Sequence, residues 1–560
     1  MKNLYAFLSD IYFIFEVHGE ATLQDDFTLK NKLTMNFCKT MLPYKLLLVF
    51  CLTLLPKAIN AQQDQSKKVH NILDYGAVAD GRTLNTAAIQ NAIDAAHKRK
   101  KGGLVVLPKG EFLSGSILMK SNVDLYLEEG AVLLGSTDPN DYVAMSTEGR
   151  PRSPKNDDNS QLALLLAHRA NNISVSGKGL IDGQGRALAL HIDSLHHAGI
   201  KIDPNYSYRR MRPNETVRPK LFRFSQCEQV RVTDLEIKNG ACWGLSFELC
   251  TDLTLDNLKI TNRAYWNNDG MDITDSKNVR ITNCDVDSAD DGICLKSYYP
   301  GYFNDNIYIA NNTIRSSASA IKFGTASYGG FKNVTIENIK IYDTFRSAIA
   351  LESVDGGVIE NITIRNIEAV NTGNAIFIRL GHRDGETPGI LKNVHIKDMN
   401  VQVPFGRPDT DYDMRGPAVD FFHNPFPSSI SGLPGYEVED VVLENITISY
   451  PGRASKGMAY VPLSRLEQVP ENAKDYPEFH MFGELPAWGF YVRHAKGMTF
   501  KNINLSLDDP DFRPAFVFDT TENIQLEQLA LPDQNKEEII LRKTEDVRLD
   551  DTLLPVMKEF

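Results

Sequence analysis

Asn278-Val-Arg-Ile, Asn306-Ile-Tyr-Ile, Asn333-Val-Thr-Ile, Asn361-Ile-Thr-Ile and Asn393-Val-His-Ile are five copies of one phrase, and their spacing decides the fold. Looser copies precede them at Cys227-Glu-Gln-Val-Arg-Val and Thr251-Asp-Leu-Thr-Leu. The apolar anchors fall at 230, 253, 279, 307, 334, 362 and 394, separated by 23, 26, 28, 27, 28 and 32 residues. Self-similarity at that period marks a repeat architecture and excludes a helical bundle. Each phrase alternates apolar and polar residues over a strand's length. A second strand-like phrase follows, as in Ile281-Thr-Asn-Cys, Ile339-Lys-Ile and Ile367-Glu-Ala-Val. A unit this short cannot bury its apolar face alone, so the units must stack. The expected fold is all-β, a single-stranded right-handed parallel β-helix. The Asn before each anchor suits a left-handed turn, where its side chain can bond from coil to coil. That ladder is structural.

The phrase returns weakly near Val441, Met498, Ile524 and Val547, which carries the solenoid to the C-terminus with insertions at roughly 402–438 and 451–493. Both are rich in Pro, Gly and aromatic residues, and solenoid insertions fall on one face, often the binding face. A helix over Thr86–His97, with Thr86 as its cap, is expected to close the N-terminal end of the core. The basic run Lys98–Lys101 then sits at the helix end, where cations suit the dipole and solvent. The expected organisation is a leader and signal segment over 1–61, a cap and first coils over 62–142, and the β-helix with its insertions over 143–560.

With 560 residues, 42% of them hydrophobic, the chain can bury a large core and is neither disordered nor a disulfide-stapled mini-domain. Its formal charge of −12 disfavours nucleic acid and anionic membrane as partners. Lys39 and Lys45 precede the apolar run Leu46–Leu55, and Ile59-Asn60-Ala61 offers a small-residue cleavage site. Export to the periplasm or the medium is therefore expected, with Met35 or Met41 as the true start. The apolar run is too short to span a bilayer. Cys227, Cys242, Cys250, Cys284 and Cys294 lie in strand-like segments without CxxC spacing, so they read as core residues and no metal site is expected.

A third strand per coil aligns on Gly244, Gly270, Gly292, Ala320, Ala348 and Ala375. In that register Asp269 and Asp291 immediately precede a glycine on adjacent coils, with Asp290 beside Asp291. Coils stack at about 4.8 Å, so three carboxylates converge. Like charges so placed cannot all ionise freely, and one pKa should rise, leaving an acid and a base. Strict alternation would turn Asp269 and Asp291 into the core, so the backbone must bend there. From the residues alone, a calcium site or solvated turn carboxylates fit as well as catalysis.

At these residues the sequence resembles the polygalacturonase family, glycoside hydrolase family 28, of the bacterial pectin-degrading type. The family's Asn-Thr-Asp and Asp-Asp motifs match Asn267-Asn268-Asp269-Gly270 and Asp290-Asp291-Gly292. The resemblance begins at Asp74-Tyr-Gly-Ala-Val-Ala-Asp-Gly and spans about residues 69–505. It implies hydrolysis of pectic polysaccharide with inversion. Asp290 would be the general acid, while Asp269 and Asp291 hold and activate a water that needs roughly 6.5–9.5 Å between acid and base. It implies no metal or organic cofactor. A monomer is expected.

The chain also departs from the family. The Gly-His-Gly motif falls on Ala318-Ser319-Ala320 and the Arg-Ile-Lys motif on Ala350-Leu351-Glu352, so the usual histidine and carboxylate-holding cations are missing. Rhamnogalacturonan hydrolases of the family also depart from the histidine pattern, which makes a mixed pectic backbone a reasonable substrate class. Asn267, Lys296, Lys322, Arg346 and Arg379 are the candidate substrate-binding residues, with His382 and Arg383 weaker. The alternative role of these cations is charge balance against the aspartates. Trp243, Tyr265 and Trp266 flank the cleft, where a ring stacks on sugar or packs the rim. A polysaccharide lyase and a non-catalytic glycan-binding β-helix are the competing readings. Exo action is expected, on the ground that an insertion near Pro404 to Glu437 closes one end of the cleft.

Overall fold

The computed structural model describes residues 67–154, 160–409, 425–454 and 461–554. The leader and signal expected over 1–61 lie outside these residues, as does the middle of the first insertion. Residues Lys67–Phe560 form one compact unit.

The repeat phrase stacks as its spacing requires. Val230 pairs with Leu253, then Val279, Ile307, Val334, Ile362 and Val394 in unbroken parallel register. The column continues through Val441, Met498, Ile524 and Val547. All of these side chains are buried in one core that runs the length of the solenoid. Among the described strands the only antiparallel pairing outside isolated bridges is the last, Glu545–Leu549 with Thr552–Leu553. The fold is a right-handed parallel β-helix, the hand that parallel crossovers adopt.

The turn asparagines behave as expected. Asn278, Asn306, Asn333, Asn361 and Asn393 have φ between 53° and 59°. Asn306 donates to Asn278 at 2.8 Å, Asn361 to Asn333 at 3.0 Å and Asn393 to Asn361 at 2.6 Å. A second ladder at the next turn, with Asn366 donating to Asn338 at 2.6 Å and Asn338 to Asn311 at 3.0 Å, is an addition to the expectation.

The helix Thr86–His97 buries Ala88, Ile89, Ala92, Ile93 and Ala96, one face at helical spacing, against the first coils. Thr86 is not its cap. Asn85 holds that position, but its side chain bonds Val78 and Thr83, while the Thr86 hydroxyl accepts from the Gly115 amide at 2.8 Å. The residues Lys98–Lys101 are exposed.

The first insertion is shorter than expected. Ser428–Ser431 is a solenoid strand, pairing with Phe377–Arg379 on one side and Phe490–Arg493 on the other. The second insertion packs through Phe479, Phe482, Leu485 and Val469 in a separate apolar cluster with Ala350, Phe377, Tyr491 and Val517. Those last four point outward from the same strand column, so the insertion covers the later coils on the face that carries the aspartates.

Candidate active site

Three successive strands, Met271–Thr274, Ile293–Ser297 and Ile321–Ser327, form the floor of the site. The predicted alignment holds, because Met271 pairs with Ile293 and Ile293 with Ile321, which puts Gly270, Gly292 and Ala320 in line. The chain bends at Gly270 and Gly292, just before each strand begins. A Cβ on Gly270 would lie 2.5 Å from the Gly292 carbonyl oxygen, and one on Gly292 would lie 2.6 Å from that of Ala320. Only glycine permits the coils to close up there. The bend carries Asp269 and Asp291 out of the core column and into a cleft.

That cleft, of about 220 Å³, is lined by Asn267, Asp269, Asp290, Asp291, Lys296 and Trp243 together with residues from other coils. Asp269 and Asp291 are buried, and Asp290 is partly exposed. Among the described residues the Asp290 carboxylate has no hydrogen bond, although its carbonyl oxygen accepts from Ser288 at 2.8 Å and Ser316 at 2.6 Å. The backbone is thus fixed while the carboxyl group faces the cleft.

Two buried lysines run between the acids. Lys296 Nζ lies 3.4 Å from Asp269 Oδ2 and 3.0 Å from Asp272 Oδ1, and sits 4.6 Å from the centre of the Trp243 ring. Lys322 Nζ lies 3.3 Å from Asp291 Oδ2, 3.9 Å from Glu352 Oε2 and 3.5 Å from the Tyr476 hydroxyl. Burial pushes the Asp269 carboxyl well above the usual range, and Asp272 reinforces this against the pull of Lys296. Burial also acts on Asp291, but Lys322, Lys296 and Arg346, with the Ser319 amide at 3.2 Å, outweigh it and hold Asp291 below the usual range. The two carboxyls thus shift in opposite directions for a physical reason, Asp269 sharing its lysine with Asp272 and Asp291 being surrounded by cations.

The other candidates take different places. Asn267 lines the cleft and its Oδ1 accepts from Arg218 Nη2 at 2.7 Å. Lys322 lies under the floor, 1% exposed. Arg346 pairs with Glu478 of the second insertion. Arg379 does not line the cleft, contrary to expectation. It is buried, donates to the backbone of Glu471 at 2.6 Å and Gly432 at 3.0 Å, and so fastens the second insertion. Trp243 lies at the cleft between Lys220, 4.1 Å from its ring centre, and Lys296. Tyr265 is buried under Arg218, and Arg212 covers the Trp266 ring at 4.4 Å. Among the described residues no cluster of His, Cys, Asp or Glu is arranged to hold a metal, and the five cysteines are free and buried.

Glu215, Tyr298 and Tyr476 also line the cleft, and none was legible in the sequence. Glu215 opens a short 3₁₀ turn and Tyr476 belongs to the second insertion, so neither falls in the strand register that exposed the aspartates. Asp272 was legible in principle, as an outward residue pairing with Cys294 one coil on.

The profile of Glycosyl hydrolases family 28 matches residues 105–408, more than half of the chain. The exo-poly-α-D-galacturonosidase of Dickeya chrysanthemi is 26% identical over 448 residues, covering 68% of this chain and 71% of that protein. A probable polygalacturonase of Vitis vinifera is 24% identical over 387 residues, covering 68% and 69%. Among solved structures, the family 28 exopolygalacturonase of Yersinia enterocolitica superposes with a TM-score of 0.60 at 19% identity, covering 88% of this chain and 79% of that one. The exopolygalacturonase of Thermotoga maritima gives 0.52 at 23% identity, covering 68% and 87%. At those identities the structures establish the shared fold. The family match and the fold together place this chain in glycosyl hydrolases family 28, the polygalacturonase family, and make it a glycosidase.

Proposed function

We propose that this glycosidase is exported and cleaves pectic polysaccharide, at linkages to galacturonic acid or within rhamnogalacturonan, by single displacement with inversion. The observation that carries the reading is the convergence of Asp269, Asp290 and Asp291 on one cleft, with Asp269 and Asp291 shifted in opposite directions. Asp290 gives its proton to the glycosidic oxygen as the bond to the anomeric carbon breaks. A water attacks that carbon from the opposite face, and ionised Asp291 takes the water's proton while Asp269 helps hold it. Leaving group and water each receive or lose one proton, so the step balances without a covalent intermediate.

Chain-end attack is part of the proposal. Tyr476 borders the cleft, and its insertion is tied down by Arg346 to Glu478, by Arg379 to Glu471 and by the His382 amide to Ala473 at 2.7 Å. A fixed wall on the C-terminal side suits a site that accepts a chain end. The exo-acting name of the Dickeya relative supports the same reading. This wall belongs to the second insertion, while the middle of the first, which had been expected to close one end, lies outside the described residues.

The test is reducing-sugar release from polygalacturonan and rhamnogalacturonan side by side, with Asp290→Asn as control. Release of short saturated products, lost in the variant, is the expected result. Unsaturated uronate products would favour the lyase, and substrate retention without release would favour a binding protein.

A further inference from the structure

Lys296, Lys322, Arg346 and Arg383 stand close to the acidic cluster, and each pairs with a carboxylate. Lys296 lies between Asp269 and Asp272, Lys322 between Asp291 and Glu352, and Arg346 against Glu478. Arg383, in the turn after the strand Val358–Leu380, is placed differently. Its Nε donates to Asp355 Oδ1 at 2.9 Å and its Nη2 to Asp355 Oδ2 at 2.6 Å. Asp355 is buried and accepts from the Ser327 amide at 3.1 Å, so the guanidinium is anchored through a rigid base. A guanidinium has two edges that fit a carboxylate. Asp355 occupies one. The Nη1 edge has no partner among the described residues, and Arg383 lines the same cleft as Asp290 and Asp291.

Thr325 is a second, independent pointer. It lines that cleft, is 7% exposed, and its hydroxyl has no hydrogen-bond partner among the described residues. A buried hydroxyl without a partner is unfavourable unless a ligand completes it. Thr325 precedes Ser327 by two residues, and the Ser327 amide bonds Asp355, so hydroxyl and clamp are built from neighbouring coils.

We propose that the free edge of Arg383, with the Thr325 hydroxyl, holds the carboxylate of a uronosyl residue of the substrate. The site thus recognises an acidic sugar through a cation in a turn, although Ala350 and Glu352 stand where the family's cations would be. This rests on the pectic reading and names the residues that read the acid. The planar fork matches a carboxylate, and pre-anchoring by Asp355 lowers the ordering cost of binding.

The test is binding to full-length protein carrying Asp290→Asn, which leaves the ligand uncleaved. The probes are an α-1,4-linked galacturonate trimer and its carboxyl-reduced counterpart. The parent should prefer the acidic trimer by about tenfold or more. Adding Arg383→Gln should erase the preference, and Arg383→Lys, which keeps a charge on Asp355 but lacks the fork, should reduce it. Thr325→Val leaves the clamp intact and should lower the preference about threefold. It therefore decides the matter even if Arg383→Gln folds poorly. A preference that survives both Arg383→Lys and Thr325→Val overturns the assignment. So does a parent without preference, whether it binds both probes or neither. Hydrolysis of polygalacturonan by the wild type, measured in parallel, shows separately whether the pectic reading stands.

Discussion

Asp269 and Asp291 occupy equivalent places on neighbouring coils and shift in opposite directions, because one lysine serves both Asp269 and Asp272 while several cations surround Asp291. Taking away Lys322 should therefore raise the Asp291 pKa. The acid limb of the kcat/KM profile should lie lower than an unperturbed aspartate would place it, and Lys322→Met should move it to higher pH. Removing the proposed general acid with Asp290→Asn should cut kcat by roughly 10²–10⁴-fold at unchanged fold. Glu352 offers a stability test. Burial pushes its carboxyl up to about 8, despite Lys322, from an ordinary value of 4.5. A raised acid stabilises the fold fully below its unfolded value, and the benefit is lost as pH rises through the folded value. Thermal unfolding should therefore show Tm falling between about pH 4.5 and about 8, with a shallower fall in Glu352→Gln. The three aspartates were legible because Asp269 and Asp291 sit one step before a repeated small residue and Asp290 is next to Asp291. Arg383 was underweighted and Tyr476 missed, because turns and insertions carry no period to place them. Arg379 was misplaced for a related reason, since its outward strand position is real but an insertion covers it.

At the scale of the element, the coil turns depend on side chains that do two things at once. Asn361 holds φ at 59°, donates to Asn333 and accepts from Asn393. Asn361→Gly keeps the turn and loses only the ladder, which should cost about 1 kcal/mol by denaturant unfolding. Asn361→Ala adds the left-handed strain and should cost about 1 kcal/mol more. An alanine no worse than glycine would show that the turn geometry is not what the asparagine supplies. The strand register was legible because inward residues repeat in every coil and burial leaves one solution. The cap of Thr86–His97 was not, because Thr86 and Asn85 both have the chemistry and only tertiary contacts with Gly115 and Val78 decide how each is used. Ser428–Ser431 escaped notice as a strand because it belongs to the third strand of its coil, and Pro427 stands there in line with Ala375 where earlier coils carry Gly or Ala.

The unit from residue 67 onward is a solenoid, and the cleft with the three aspartates is bordered by Tyr476 of an insertion from later coils. Loosening that wall should change the products. Arg346→Gln breaks the pair with Glu478, and longer oligomers should then appear early in the digestion of polygalacturonan. Unchanged end products would separate the wall from chain-end action. The proposed export makes a different demand, that the mature protein begin after Ala61, which N-terminal sequencing of secreted material reads directly. Inversion by the three aspartates is read by proton NMR of the first products from polygalacturonan. The new reducing end should first appear in the anomeric configuration opposite to that of the cleaved linkage, and Asp290→Asn should slow its appearance by roughly a hundredfold or more. A product that first appears with retained configuration, or a rate indifferent to Asp290→Asn, would contradict it.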